Sequence, residues 1–153
     1  MIRSVLFICL GNICRSPTAE GVLRQMAHAA GLDLEIDSAG TGGWHVGHPP
    51  HGAAIRAAAA RGYDISGQRA RQAMPADFAR FDLILAMDAA NLAAMEALRP
   101  AGHQTPLRLF TDYADSAIRA IPDPYYTGDF SGALTLIETA ARGLISGLEA
   151  QLQ

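Results

Sequence analysis

The segment Ile2 to Ile8, unbroken in apolar character from Val5 onward, runs into Cys9, Leu10, Gly11 and Asn12, and soon afterwards into Ser16 and Pro17. Apolar side chains at successive positions suit a short strand buried on both faces, as in a parallel sheet. Serine followed by proline is a helix-start signal, and TAEGVLRQMAHAAG carries amphipathic spacing that closes at Gly31. A buried strand, a tight loop and a helix in that order leave few folds open.

The rest of the chain repeats the alternation. Leu34 to Gly40 reads as a second strand, and AAIRAAAARG is helical up to Gly62 after a loop rich in His, Gly and Pro. Phe81 to Asp88 is the next buried strand, with AANLAAMEALR as the helix behind it, stopped by Pro100. Pro106 to Phe110 is a short fourth strand, IPDPYYTGD a polar loop, and Ser131 to Leu152 a closing helix. Strands alternating with helices imply a parallel sheet covered on both faces. The expected fold is α/β: a single doubly wound domain over residues 1–153, with a four-stranded parallel sheet. In such sheets ligands bind beyond the carboxyl ends of the strands, where CLGNICRSP falls.

Composition excludes several classes. The 153 residues suffice for a core without disulfide or metal staples. A net charge of -3 offers no basic surplus for nucleic acid or an anionic membrane. The apolar run Val5 to Leu10 is too short for a signal peptide, and nothing approaches a membrane span. The expected location is cytoplasmic, where the two cysteines, Cys9 and Cys14, are reactive or free rather than bridged.

Between Cys9 and Ser16 a loop feeds a helix N-terminus, whose unpaired N–H groups and dipole favour an anion. Gly11 and Asn12 tolerate left-handed backbone, which lets consecutive amides turn inward. Arg15 adds a planar fork matched to two phosphate oxygens. The cradle suits phosphate or another tetrahedral oxyanion. A thiol there feels the same positive field, which favours the thiolate, and Ser16 can donate a hydroxyl hydrogen bond to its sulfur.

CLGNICRSP resembles the phosphate-binding loop of the low-molecular-weight protein tyrosine phosphatases, C-x-G-N-x-C-R-S-P. DSAGT, WHVG and DPYY follow in the same order, so the resemblance covers nearly the whole chain. It implies that Cys9 is the nucleophile, forming a phosphocysteine, and that Arg15 binds phosphate and stabilises the transition state. Asn12 and Ser16 would order the loop and the thiolate, with Leu10, Gly11, Ile13 and Cys14 completing the substrate loop. Asp123 matches the general acid, and Trp44, Tyr125 and Tyr126 match aromatic positions walling a deep slot for a phosphorylated ring. Ile13 agrees with aryl substrates, since the related arginine-phosphate phosphatases usually carry threonine there. The implied partner is a tyrosine-phosphorylated protein, with a tyrosine kinase among the candidates. The scheme needs no cofactor or metal, because Arg15 and the loop amides already supply positive charge.

Several residues carry plainer readings. Cys14 is either packing or a redox guard for Cys9. His45, His48 and His51 read as solvated loop histidines rather than metal ligands, with no cysteine or carboxylate cluster beside them. Asp88 reads as a helix cap, and the resemblance implies that it also braces the phosphate loop. Gln68 seats where the family often has a histidine bonded to a serine behind the loop, and an amide could replace that support. Two rival functions share the motif: an arsenate reductase of the same fold, which usually needs further cysteines, and a phosphotyrosine-binding module without catalysis.

Overall fold

The structure, a computed structural model, describes residues 1–114 and 117–152. The first strand, β1, covers Ser4–Cys9, and every residue of it is buried. Helix α1 follows at Arg15–Ala29 and strand β2 at Glu35–Gly40. Helices α2 (Gly52–Ala60) and α3 (Asp77–Arg80) precede β3 (Leu83–Ala86), which leads into α4 (Ala89–Leu98). Strand β4 (Leu107–Leu109) runs into a 3-10 turn at Phe110–Tyr113, and α5 (Pro124–Thr127) and α6 (Phe130–Ala150) close the chain.

The four strands pair in the order β2-β1-β3-β4, all parallel. The chain leaves β1 towards one edge and later returns to its other side, so the crevice opens beyond β1 and β3. This is the doubly wound sheet expected from the alternation.

Alternation along β1 assigns the two faces. Val5, Phe7 and Cys9 join one cluster with Val22 and Leu23 of α1 and Leu134, Ile137, Ala141 and Leu144 of α6. Leu6 and Ile8 point the other way, against Phe78, Phe81, Ile84 and Met95. The buried residues of α6 recur every three or four positions, the spacing of a stripe facing the sheet. Among the described residues no helix is long and apolar enough to cross a membrane.

The departures from expectation are short elements. Helix α1 begins at Arg15, so Pro17 lies inside its first turn, where a missing N–H costs no intrahelical bond. Helices α3 and α5 are four residues each, too brief to show a period. Helix α5 carries its own signals even so: Asp123 caps it and Pro124 opens it.

Phe7 is fully buried and meets Phe110 edge-on at 4.9 Å between ring centres. Phe7→Ala is expected to destabilise the fold by about 3–5 kcal/mol through lost burial and the cavity left behind. Urea unfolding monitored by circular dichroism measures this.

Candidate active site

The loop after β1 is shaped by one left-handed residue. Asn12 has φ 57°, the only positive φ at a non-glycine position among the described residues. Its side chain holds the turn in place. Oδ1 accepts from Arg71 N–H at 3.0 Å, which turns Nδ2 towards Ser16 Oγ at 2.8 Å and Ser38 Oγ at 3.0 Å. Ser38 in turn donates to Glu20 Oε1 at 2.6 Å. Ser16 Oγ, accepting from Asn12, keeps its own proton available for Cys9 Sγ, 3.0 Å away.

Gly11 departs from expectation. Its φ is not positive, so left-handed freedom is not its role. A Cβ there would stand 3.0 Å from Cδ2 of His45, so the missing side chain makes room for that imidazole. At Gly40 a Cβ would meet Leu10 O at 2.8 Å and Asn12 N at 3.1 Å, which is why the end of β2 can lie against the loop.

Arg15 is 3% exposed. Its Nη1 donates to Asp88 Oδ2 at 2.7 Å and to the carbonyl of Ile121 at 2.9 Å, and Nη2 reaches Asp123 Oδ2 at 3.4 Å. Nε is buried without a hydrogen-bond partner among the described residues. Asp88 does both things expected of it: Oδ1 caps α4 by accepting from Asn91 N–H at 2.8 Å while Oδ2 braces the arginine. Ile121 is itself hung on the end of β3, since its N–H donates to Met87 O at 2.9 Å. Helix α1 has no side-chain cap and no acidic residue in its first turn, so its positive end is left uncompensated beside the loop.

Cys9, Leu10, Gly11, Ile13, Cys14, Arg15, Trp44, Asp123, Tyr125 and Tyr126 line one cavity of about 230 Å³, together with His45. Asn12 and Ser16 are not on its wall; they lie buried behind the loop, tied into the serine–asparagine network. The aromatics form a rim more than a deep slot, with Trp44 70% and Tyr126 74% exposed. Tyr125 is steadied by the ring of His51, 5.6 Å away and edge-on, which also stacks on Phe130 at 5.6 Å. The His51 N–H donates to Ile13 O at 2.7 Å.

Two sequence readings need correcting. Gln68 does not reach a serine behind the loop: its Nε2 donates to Pro17 O at 2.9 Å, and its Oε1 is buried with no partner among the described residues. Arg71 N–H and Glu20 hold the Asn12–Ser38 pair instead. His45 is no bystander, because it lines the cavity beside Gly11. Its sequence signal was its place in the WHVG motif. Among the described residues no cluster of three or more His, Cys, Asp or Glu could hold a metal ion.

A cysteine and a buried arginine in C-x5-R spacing line one cavity at the switch point of a parallel sheet, where unpaired loop amides and a cation favour an oxyanion. The family model for low molecular weight phosphotyrosine protein phosphatase matches residues 4–153. The low molecular weight protein-tyrosine-phosphatase YfkJ of Bacillus subtilis is 40% identical over 98% of both chains. Its crystal structure covers 100% of this chain and 98% of its own, with a TM-score of 0.94. A putative low molecular weight protein-tyrosine-phosphatase of Synechocystis, slr0328, is 44% identical, covering 97% of this chain and 98% of its own. The tyrosine phosphatase Wzb of Escherichia coli K30, solved in complex with sulphate, is 33% identical over 97% of this chain and 99% of its own, at a TM-score of 0.85. The chain belongs to the low molecular weight phosphotyrosine protein phosphatase family.

The Cys14 thiol is held in its neutral form. Burial, then the neighbouring Cys9 and Asp123, push the Cys14 thiol up to about 12, with Arg15 pulling only weakly against them. A raised thiol pKa means the neutral S–H form persists throughout the range below it. Iodoacetamide at pH 7 to 9 is therefore expected to spare Cys14. Peptide mapping reads this directly, and rapid labelling of Cys14 in the folded protein would contradict it.

Proposed function

We propose that the chain is a single-domain protein tyrosine phosphatase that hydrolyses phosphotyrosine and small aryl phosphates through a phosphocysteine on Cys9. The observation that carries this reading is that Cys9, Arg15 and Asp123 share one cavity wall, with Nε of the buried arginine unpartnered. A buried N–H without an acceptor is costly, and a bound oxyanion supplies one. The sulphate bound by the Escherichia coli relative is an oxyanion of that shape.

In the first step the Cys9 thiolate attacks phosphorus, forming the S–P bond as the bond to the aryl oxygen breaks. Arg15 and the loop amides meet the charge on the equatorial oxygens, and the proton of Ser16 steadies the sulfur as the leaving group of the second step. The Asp123 carboxyl gives its proton to the departing phenolate. In the second step the resulting carboxylate takes a proton from water, whose oxygen attacks phosphorus; the S–P bond breaks, releasing phosphate and the thiolate. The capping bond from Tyr125 N–H to Asp123 Oδ1, at 3.1 Å, leaves Oδ2 towards Arg15 and the cavity. Trp44, Tyr125 and Tyr126 form the rim that accepts the phenyl ring of a tyrosine-phosphorylated protein.

Turnover of p-nitrophenyl phosphate tests the reading. Wild type is expected to be active and Cys9→Ser inactive; full activity in Cys9→Ser would refute the nucleophile. Asp123→Asn is expected to slow phenyl phosphate by roughly 10²- to 10⁴-fold, and p-nitrophenyl phosphate, whose leaving group needs less help, much less. Equal losses on both esters would rule out general acid catalysis by Asp123.

A further inference from the structure

The residues from Ala70 to Ala73 lie outside the cavity wall, yet they fasten both loops that make it. Arg71 N–H donates to Asn12 Oδ1 at 3.0 Å, the bond that orients the amide of the left-handed residue. Arg71 O accepts from Gly40 N–H at 2.9 Å, and Ala73 N–H donates to Gly40 O at 2.8 Å, beside the phosphate loop. Ala70 turns to the other loop: its N–H donates to His48 O at 2.9 Å, and its O accepts from Gly47 N–H at 2.8 Å. One extended segment thus holds the turn at Asn12 and the base of the loop carrying Trp44 and His45.

Little apolar area keeps it there. Ala70 and Ala73 are buried but small, and Gln72 is exposed. The strong anchor is the Arg71 guanidinium. Nη1 and Nη2 grip both oxygens of Asp77 at 3.2 and 3.0 Å, and Nε donates to Asp37 Oδ2 at 3.0 Å. Asp77 is buried in α3, where it also accepts from Met74 N–H at 2.9 Å, and Asp37 belongs to β2. The arginine is therefore pinned at once to the sheet and to a helix. Burial alone would lower its pKa, but the two carboxylates outweigh burial and raise it. A bidentate grip plus a third donor is geometry that lysine cannot reproduce.

We propose that Arg71 is a positioning residue for the phosphatase site: clamped between Asp77 and Asp37, it sets the register of residues 70–73 and, through them, the turn at Asn12 and the seat of the Trp44 loop. Its turnover readout rests on the phosphatase reading; its labelling readout does not.

The test compares wild type with Arg71→Gln, Arg71→Lys and Asp37→Asn, at temperatures well below each Tm. Measured are kcat and KM for p-nitrophenyl phosphate, inhibition by inorganic phosphate, and the rates at which iodoacetate and iodoacetamide alkylate Cys9. The anionic reagent gains from an intact oxyanion cradle and the neutral one does not, so their ratio reports cradle geometry without turnover. Arg71→Gln is expected to lower kcat/KM roughly 10- to 100-fold, the scale of a small misplacement of reacting groups. It should also weaken phosphate inhibition and reduce the iodoacetate preference. Arg71→Lys should recover part of each loss, and Asp37→Asn should move all three the same way by less. A lower Tm with all three readouts unchanged would overturn the proposal. If Arg71→Gln does not fold, the same readouts in Asp37→Asn decide. Should wild type turn over no aryl phosphate, the phosphatase reading falls, and the labelling ratio still decides the case of Arg71.

Discussion

A guanidinium kept under a loop and out of water is the demand that organises the rest of this molecule. Removing a cation from water is expensive unless charge and hydrogen bonds compensate it. For Arg15 the compensation comes from Asp88 at 2.7 Å and the Ile121 carbonyl at 2.9 Å. Both partners stand at the end of β3, one as the cap of α4 and the other through the bond from Ile121 to Met87. The parallel pairing of β3 with β1 brings that end beside Cys9, the last residue of its own strand. The same arginine reaches Asp123, so a residue more than a hundred positions away shares its cavity.

The polar network behind the loop complements the cation in front. Arg71 N–H settles which way the Asn12 amide faces, and that settles which proton Ser16 can offer to sulfur. Glu20 ends the chain of bonds, taking the Ser38 proton on Oε1 and an Arg24 N–H on Oε2 at 2.8 Å. A buried network with its members satisfied in this way rigidifies the loop it supports. Reacting groups held before substrate arrives need little reorganisation in the transition state.

The sheet, its helices and the loop of CLGNICRSP were legible because each carries a strong local signal: buried apolar runs for β1 and β3, Gly31 beyond α1, and a cysteine and arginine spaced around Gly11-Asn12. The closing helix, expected from Ser131 to Leu152, runs over Phe130–Ala150. What escaped was set by tertiary contact. Gly11 reads as a residue for left-handed backbone, yet its φ is not positive and its missing side chain leaves space for the ring of His45. Gln68 bonds the Pro17 carbonyl rather than a serine, and the donor to Asn12 comes from the backbone of Arg71. Arg71 itself looks like any surface arginine until the fold brings Asp37 and Asp77 to it. Helix α5 is too short for any period to declare it.

The proposed reaction passes phosphorus through the sulfur of Cys9 on its way from an aryl ester to water. Acid quenching during steady turnover, followed by peptide mass spectrometry, addresses it most directly. The account predicts a phosphoryl group on the Cys9 peptide that accumulates with substrate present and vanishes once substrate is consumed. Turnover at the full rate with that peptide never phosphorylated would contradict it.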